Sequence, residues 1–422
     1  MGLKEKLGRL GPPIGQSEAT AQADATGAPD GERTRQLDSL RERMAEILGR
    51  EPSAGRMPAD PSLTELPFAR VERPEGAVYQ RLERLAPSHH VGRMPVDAAH
   101  AAEASVLALL ALDPSLAEVD LRRALYLDTE TTGLGGGAGI VAFLVGLSWF
   151  DDDGRLVMEQ LLLRTPAEEE AMLALLTERI SAAGVLVTYN GKAFDLPLLA
   201  GRYVMNHLPA LPPRPHLDLL HVGRRLHKAR LGACKLTTLE SEVLGFERGD
   251  DIAGADVAPR YGHFLRTGDE RALSAVVEHN AWDVLSMAAL VGLYGEPLSL
   301  HEEDLVGLAR TYKRAGALAE ADSVANVAVE RGAGSEALRV RGEIAKARGD
   351  RARALADFEA LSAELDDPRV RLELGKLYEH HVKEPLKALE VVLQGTGESE
   401  EATARRRARL ERKIARTVKK GG

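Results

Sequence analysis

The segment Leu125-Tyr-Leu-Asp-Thr-Glu-Thr-Thr-Gly-Leu134 constrains this chain more than any other. Leu125, Tyr126 and Leu127 lead into two acids, Asp128 and Glu130, and Gly133 interrupts the run just beyond them. The pattern reads as a short buried strand. Residues i and i+2 of a strand share a face, so both carboxylates project the same way from its end. Two like charges held that close repel unless something positive sits between them. A divalent cation taking oxygen ligands answers that need. A strand running into an acidic turn would have the same composition, so the weight of the reading falls on what surrounds it.

Downstream, Gly139-Ile-Val-Ala-Phe-Leu-Val-Gly-Leu-Ser-Trp-Phe150 predicts a long apolar second strand. Asp152-Asp153-Gly154 is a hairpin-type turn, and residues 155–163 return as a third strand. Thr165-Pro166, followed by three glutamates, signals a helix start: Thr caps, Pro takes the first turn, and acids suit the N-terminal dipole. Residues 184–189 predict a fourth strand, with further helices at about 192–204, 216–228 and 268–293. An antiparallel hairpin followed by helix–strand alternation indicates an α/β fold, a mixed sheet with helices on its faces.

The flanks differ in character. Residues 1–35 are rich in Gly, Ala, Pro, Ser, Thr and Asp and predict a disordered segment. Residues 36–120 predict an extension on the core: a helix over Leu37 to Leu48, small strands and loops through the Pro- and Gly-rich stretch 51–100, and a helix over Ala101 to Leu112. His89 and His90 fall in this stretch and read as solvated loop residues. From about 301 the pattern is helical only, with an interval of 33: Ala309, Gly342 and Gly375; Tyr312, Ala345 and Tyr378; Gly316 and Gly349; Ala321 and Ala354. Small residues at fixed places let paired helices pack closely, and this period fits a helical-hairpin solenoid over 301–395 similar to tetratricopeptide repeats. The third repeat slips near His381, where Val382 stands at the position of the expected Gly. Residues 396–422 form a basic tail whose arginines and lysines suit either phosphate contact or a solvated, frayed helix.

Composition excludes several classes. The one cysteine, Cys234, rules out an intrachain disulfide and any Cys-based zinc site, and fits a reducing cytoplasm. No apolar run reaches membrane-spanning length, and the first residues lack the apolar core of a signal peptide. A net charge of −9 means that affinity for nucleic acid must come from local basic patches. No Walker A motif is present, and the glycines at 135–139 lack the spacing of a dinucleotide fingerprint.

Two further segments complete a constellation. Thr188-Tyr-Asn-Gly-Lys-Ala-Phe-Asp195 runs from strand through a Gly turn to a helix start, which brings Asp195 to the same sheet edge as Asp128 if the two strands are neighbours. In Val277-Glu-His-Asn-Ala-Trp-Asp-Val284, His279 and Asp283 are at i and i+4 and share a helix face. Four acids and one imidazole match a two-metal phosphoryl-transfer site, with the imidazole suited to taking a proton from the attacking water.

Taken together, Asp128-Thr-Glu-Thr-Thr-Gly-Leu134, Asn190-Gly-Lys-Ala-Phe-Asp195 and His279-x3-Asp283 resemble the three motifs of the DEDD (DnaQ-like) 3′–5′ exonucleases of the ribonuclease H-like superfamily. With His216-Leu-Asp-Leu-Leu-His, Lys235-Leu-Thr-Thr-Leu-Glu240 and the repeats, the ordering over about residues 60–395 is most similar to the bacterial YprB-like exonucleases. The three residues between His279 and Asp283 are the spacing of the tyrosine subclass, whereas the histidine subclass has four.

The resemblance implies a ribonuclease H-like five-stranded mixed sheet at 121–300 and two divalent cations, Mg²⁺ or Mn²⁺. Asp128 would bridge both, Glu130 and Asp283 would complete the coordination of the first ion, and Asp195 would hold the second, partly through water. His279 would act as general base. Thr131, Thr132 and Leu134 would seat the 3′-terminal nucleotide, with Asn190 beside them and Leu134 or Phe194 against a base. Lys192 and Lys235 are candidate phosphate contacts, and Asp218 lies on a predicted helix that could face the site. The expected activity is removal of nucleotides from the 3′ end of single-stranded DNA in repair, in the cytoplasm, with the repeats recruiting a protein partner such as a helicase. The alternatives are an RNA-trimming exonuclease and a catalytically silent scaffold.

Overall fold

A computed structural model describes residues 66–133, 139–249 and 251–421. The predicted disordered segment 1–35 and the helix over Leu37 to Leu48 lie outside them. Among the described residues nine strands run in chain order: β1 Ala69–Arg73, β2 Gly76–Arg84, β3 His90–Val91, β4 Met94–Pro95, β5 Ala124–Thr131, β6 Ala142–Phe150, β7 Leu156–Leu162, β8 Val185–Thr188 and β9 His216–Asp218.

Seven of them form one sheet in the order β1-β2-β7-β6-β5-β8-β9, while β3 and β4 pair only with each other. β5 lies antiparallel to β6 and parallel to β8, and β8 is parallel to β9. The expected core of five strands is therefore present as β7-β6-β5-β8-β9, but the sheet is wider. Residues 76–84 pair antiparallel with the outer side of β7, Leu82 opposite Glu159, and β1 pairs in turn with β2. An open strand edge carries unpaired amides and carbonyls, and this hairpin covers it. The predicted helix at 216–228 also begins differently. His216–Asp218 extends the parallel pairing, Leu186 opposite His216, before the helix starts at Leu219.

Among the described residues the first helices are α1 Ala98–Ala101 and α2 Ala104–Ala111; α3 Glu169–Ala182 follows β7, and α4 Asp195–Met205 follows β8. Next come α5 Leu219–Leu231, α6 Leu236–Leu239, α7 Gly254–Thr267 and α8 Ser274–Gly295. Glu168 closes the start of α3 by accepting from the amides of Arg164 and Thr165, at 2.9 and 3.0 Å. Strand alternation sorts the central strand between two cores. Tyr126 joins α5 and α8 on one face, while Leu125 and Leu127 join α3, α4 and α7 on the other. Asp128 and Glu130 carry the register of Tyr126, so they emerge on the α8 side.

Beyond Leu300 three helical hairpins follow: α9 Glu302–Ala315 with α10 Leu318–Glu330, α11 Ser335–Arg348 with α12 Arg351–Glu364, and α13 Pro368–Leu377 with α14 Pro385–Leu393. Gly316 and Gly349 end α9 and α11 in left-handed conformation, at φ 82° and 88°, where a Cβ is penalised. In the third hairpin the left-handed residue is Lys383, φ 64°, one place later than the interval of 33 requires. A π-type turn at Tyr378–Val382 takes up the extra residue, which is the physical form of the slip near His381. The basic stretch is a docked helix, α15 Glu400–Gly421. Leu410 is buried against Ala388 and Val392 of α14. The buried Glu379 accepts from Arg409 and Lys413, at 2.6 and 2.8 Å, and Arg406 pairs with Glu398. Much of the tail's positive charge is thus engaged internally.

Candidate active site

The site forms where β5 and β8 end side by side. Parallel pairing of Tyr126 with Val187 sets the two strands in register, so the turn after Thr188 delivers α4 beside the acids of β5. Asn190 adopts φ 68° in that turn, a conformation Asn tolerates better than most residues. Asp218 secures it. Its carboxylate accepts from the amides of Asn190 and Lys192, at 2.8 and 3.1 Å, and from Leu220, whose helix it caps. Asp218 is therefore accounted for by the turn and the cap. Asp195 opens α4, buried, and its Oδ1 accepts from Thr129 Oγ1 at 2.6 Å.

The third contribution comes from α8. Asn280 donates from Nδ2 to Asp128 Oδ2 at 2.9 Å, while its own Oδ1 accepts from Gln160 at 2.9 Å. His279 directly precedes it, and Asp283 stands about one turn after it. The imidazole Nε2 lies 3.9 Å from Glu130 Oε1 and 3.6 Å from Asp283 Oδ2. One ligand atom each from Glu130, His279 and Asp283 lies within 4.8 Å of the others, a spacing a metal ion can bridge.

The electrostatics are those of a crowded acid cluster. Burial first, then the charges of Asp283, Asp195 and Glu130, hold the Asp128 carboxyl well above its usual range, against the hydrogen bond from Asn280. Glu130 is pushed up to about 7 by burial and by Asp283. Asp195 is raised to about 6 by burial, with the Thr129 hydrogen bond opposing. His279 is raised: burial works against its charge, but Asp283, Asp251 and Glu130 prevail. Three buried carboxylates held above their usual range, with Asp283 beside them, are a donor set fitted to divalent cations, whose charge would relieve the repulsion.

The expected nucleotide-seating residues divide. Phe194 is 56% exposed beside Asp195, open to a base. Thr131 and Thr132 close the foot of the following loop: Thr131 donates to Gly133 O, and Thr132 pairs with Val141 through both amide and hydroxyl. Leu134 lies outside the described residues. Lys192 and Lys235 are exposed. His89 and His90 are exposed as well, and His90 bonds the carbonyl of Ser88.

Residues without a sequence signal complete the site. Arg248, its side chain 4% exposed, forks onto Glu240 with two 2.6 Å hydrogen bonds and also pairs with Asp283. Asp251 receives His279 Nδ1 at 2.6 Å. In the sequence Asn280 stands out only as a neighbour of His279, and Glu240 only as the end of Lys235-Leu-Thr-Thr-Leu-Glu240.

The sheet order and the acid cluster at the ends of its parallel strands define a ribonuclease H-like domain. Residues 125–294 match the family model of the RNase_H superfamily. Over 167 residues the chain is 41% identical to "Uncharacterized protein YprB" of Bacillus subtilis (strain 168); the match takes in 39% of this chain and 40% of that protein, so the chain spans about two-fifths of its curated relative. Among solved structures, the family B DNA polymerase of the archaeon Pyrobaculum calidifontis aligns with a TM-score of 0.32 at 14% identity, over 53% of this chain and 29% of that one. Among the described residues, no helix is long and apolar enough to cross a membrane.

Proposed function

We propose that the chain is a metal-dependent 3′–5′ exonuclease that hydrolyses the terminal phosphodiester of single-stranded DNA and serves in DNA repair. The observation that carries this reading is the convergence of Asp128, Glu130, Asp195 and Asp283 from β5, α4 and α8, with the His279 imidazole facing Glu130 and Asp283. Asp128, Glu130, Asp195 and Asp283 would hold Mg²⁺ or Mn²⁺. Such ions supply Lewis-acid stabilisation of charge on a phosphoryl oxygen and lower the pKa of a bound water. The chain's own residues do the rest. Asn280 and Thr129 orient Asp128 and Asp195, and His279 Nε2 is aimed at the cluster, where it can accept a proton from water. Phe194 offers an exposed ring for stacking on the terminal base. The three hairpins at an interval of 33 support a tetratricopeptide-like arm that binds a protein partner.

The test uses 5′-labelled single-stranded DNA and RNA of one sequence, with Mg²⁺ or Mn²⁺, with chelator, and with Asp283→Ala. A metal-dependent ladder shortening from the 3′ end of DNA, absent in the variant, is the expected result. A ladder on RNA alone would replace DNA as substrate, and no ladder on either would leave a scaffold.

A further inference from the structure

The His279 imidazole has two nitrogens with different surroundings. Nε2 faces Glu130 and Asp283 in the acid cluster, and Nδ1 faces away, toward Asp251 Oδ1 at 2.6 Å and Arg248 Nη1 at 3.0 Å. These two neighbours make opposite demands. A guanidinium can only donate and a carboxylate only accept, so Nδ1 cannot satisfy both. The shorter contact and the charged acceptor favour a proton on Nδ1, donated to Asp251. Arg248 then meets its needs elsewhere: Nη1 reaches Asp251 Oδ2 at 3.5 Å, Nη2 reaches Asp283, and the fork onto buried Glu240 fixes the group. Its guanidinium carbon also stands 5.6 Å from the Trp282 ring centroid. The same Asp251 Oδ1 also accepts from the amide of Ile252, at 2.8 Å, which helps to hold it in place.

We propose that Asp251 is a positioning residue that fixes the tautomer of His279, keeping the proton on Nδ1 and the lone pair of Nε2 directed into the acid cluster. Arg248, locked by Glu240, holds Asp251 and Asp283 on either side of that imidazole. The inference rests on the exonuclease reading, because only there does the Nε2 lone pair have a proton to accept. It gives a role to Glu240, 1% exposed at its side chain and 43 residues before Asp283 in the chain.

The experiment compares Asp251→Asn and Asp251→Ala with the unmodified protein. Asp251 is a quarter exposed, so both variants should fold. An asparagine beside Arg248 turns its oxygen to the guanidinium and its amide to Nδ1. That arrangement favours the Nε2–H tautomer and blocks the base. The tautomer role therefore makes Asn the worse substitution, with kcat on single-stranded DNA lower by about 100-fold, and Ala milder, whereas a packing role makes Ala the worse. KM, melting temperature and Mn²⁺ affinity by titration calorimetry should stay within about twofold or a few degrees for both variants. Asp251→Glu, which restores a carboxylate, should recover part of kcat. Wild-type kcat in Asp251→Asn, an Ala variant slower than the Asn variant, or a loss carried by KM or Mn²⁺ affinity would each overturn the proposal while leaving the exonuclease reading in place. An unmodified protein that digests neither DNA nor RNA would overturn both.

Discussion

Asn280 on α8 reaches Asp128 on β5 across 152 residues of chain, and it does so through space left by Gly146. Gly146 pairs with Asp128 in the β5–β6 ladder. A Cβ built on it would stand 2.3 Å from Asn280 Oδ1. A fully buried amide is thereby locked between Gln160 and Asp128, and the orientation of an acid on the central strand depends on a missing methyl group one strand away.

Gly146→Ala should therefore damage the site without touching any acid. Displacing Asn280 leaves buried polar groups unpaired, at a cost of about 1–3 kcal/mol. Melting temperature and Mn²⁺ affinity should both fall. Gly201→Ala in α4, where a Cβ meets nothing within 4 Å, is the control: Mn²⁺ affinity should not change, and melting temperature should hold or rise slightly, because alanine suits a helix interior better than glycine. Equal behaviour of the two variants would show that Asn280 is not held as described.

The acids and the imidazole should separate by assay. Asp283→Ala should abolish both Mn²⁺ binding and hydrolysis. His279→Ala should lower kcat by about 10²–10⁴-fold as for loss of a general base, with most of the Mn²⁺ affinity retained. Because His279 also stands within ligand distance of Glu130 and Asp283, a variant that loses metal and activity together would make it a ligand instead.

The raised carboxyls set a pH dependence of stability with a definite sign. Glu130, at about 7 in the folded chain against about 4.3 for a free side chain, takes up its proton in the folded state first as pH falls. Between those two values the folded state holds more protons than the unfolded one, so this group's contribution to stability declines as pH rises from about 4.3 to 7. Asp195, at about 6, acts in the same direction. In chelator, the difference in melting temperature between Glu130→Gln and the unmodified protein should widen from pH 5 to pH 7.5 in favour of the variant. Mn²⁺ should reverse that order at pH 7.5, because the ion requires the charged carboxylates.

At the far end of the chain, α15 behaves as the last layer of the solenoid. Leu410→Ala should destabilise the helical region by about 2–3 kcal/mol, since Leu410 is fully buried. Glu379 is brought down to about 2 by Arg409 and Lys413, whose hydrogen bonds outweigh its burial. Its stabilising share is present above about pH 4.3 and is lost as pH falls toward 2. Removal of residues 396–422 should show first as a lower melting temperature. A truncated protein that melts normally yet binds DNA with a shallower salt dependence would return the segment to the role of a phosphate-binding tail.

Local pattern carried much of this protein. Strand alternation placed Asp128 and Glu130 on one face, helical spacing placed His279 and Asp283 on another, and the interval of 33 located the helical hairpins, because each is a periodicity within one element. Even the slip in the third repeat was legible, though its π-turn was not. What the tertiary structure alone decided are pairings between elements with no shared period. The β1–β2 hairpin widens the sheet because β7 has an edge to cover, and Asp218 serves a turn that lies 28 residues upstream of it. Asn280, Arg248, Glu240 and Asp251 enter the site from separate segments. A buried hydrogen bond is specified by where two chains of packing happen to meet, and no spacing along the sequence records that.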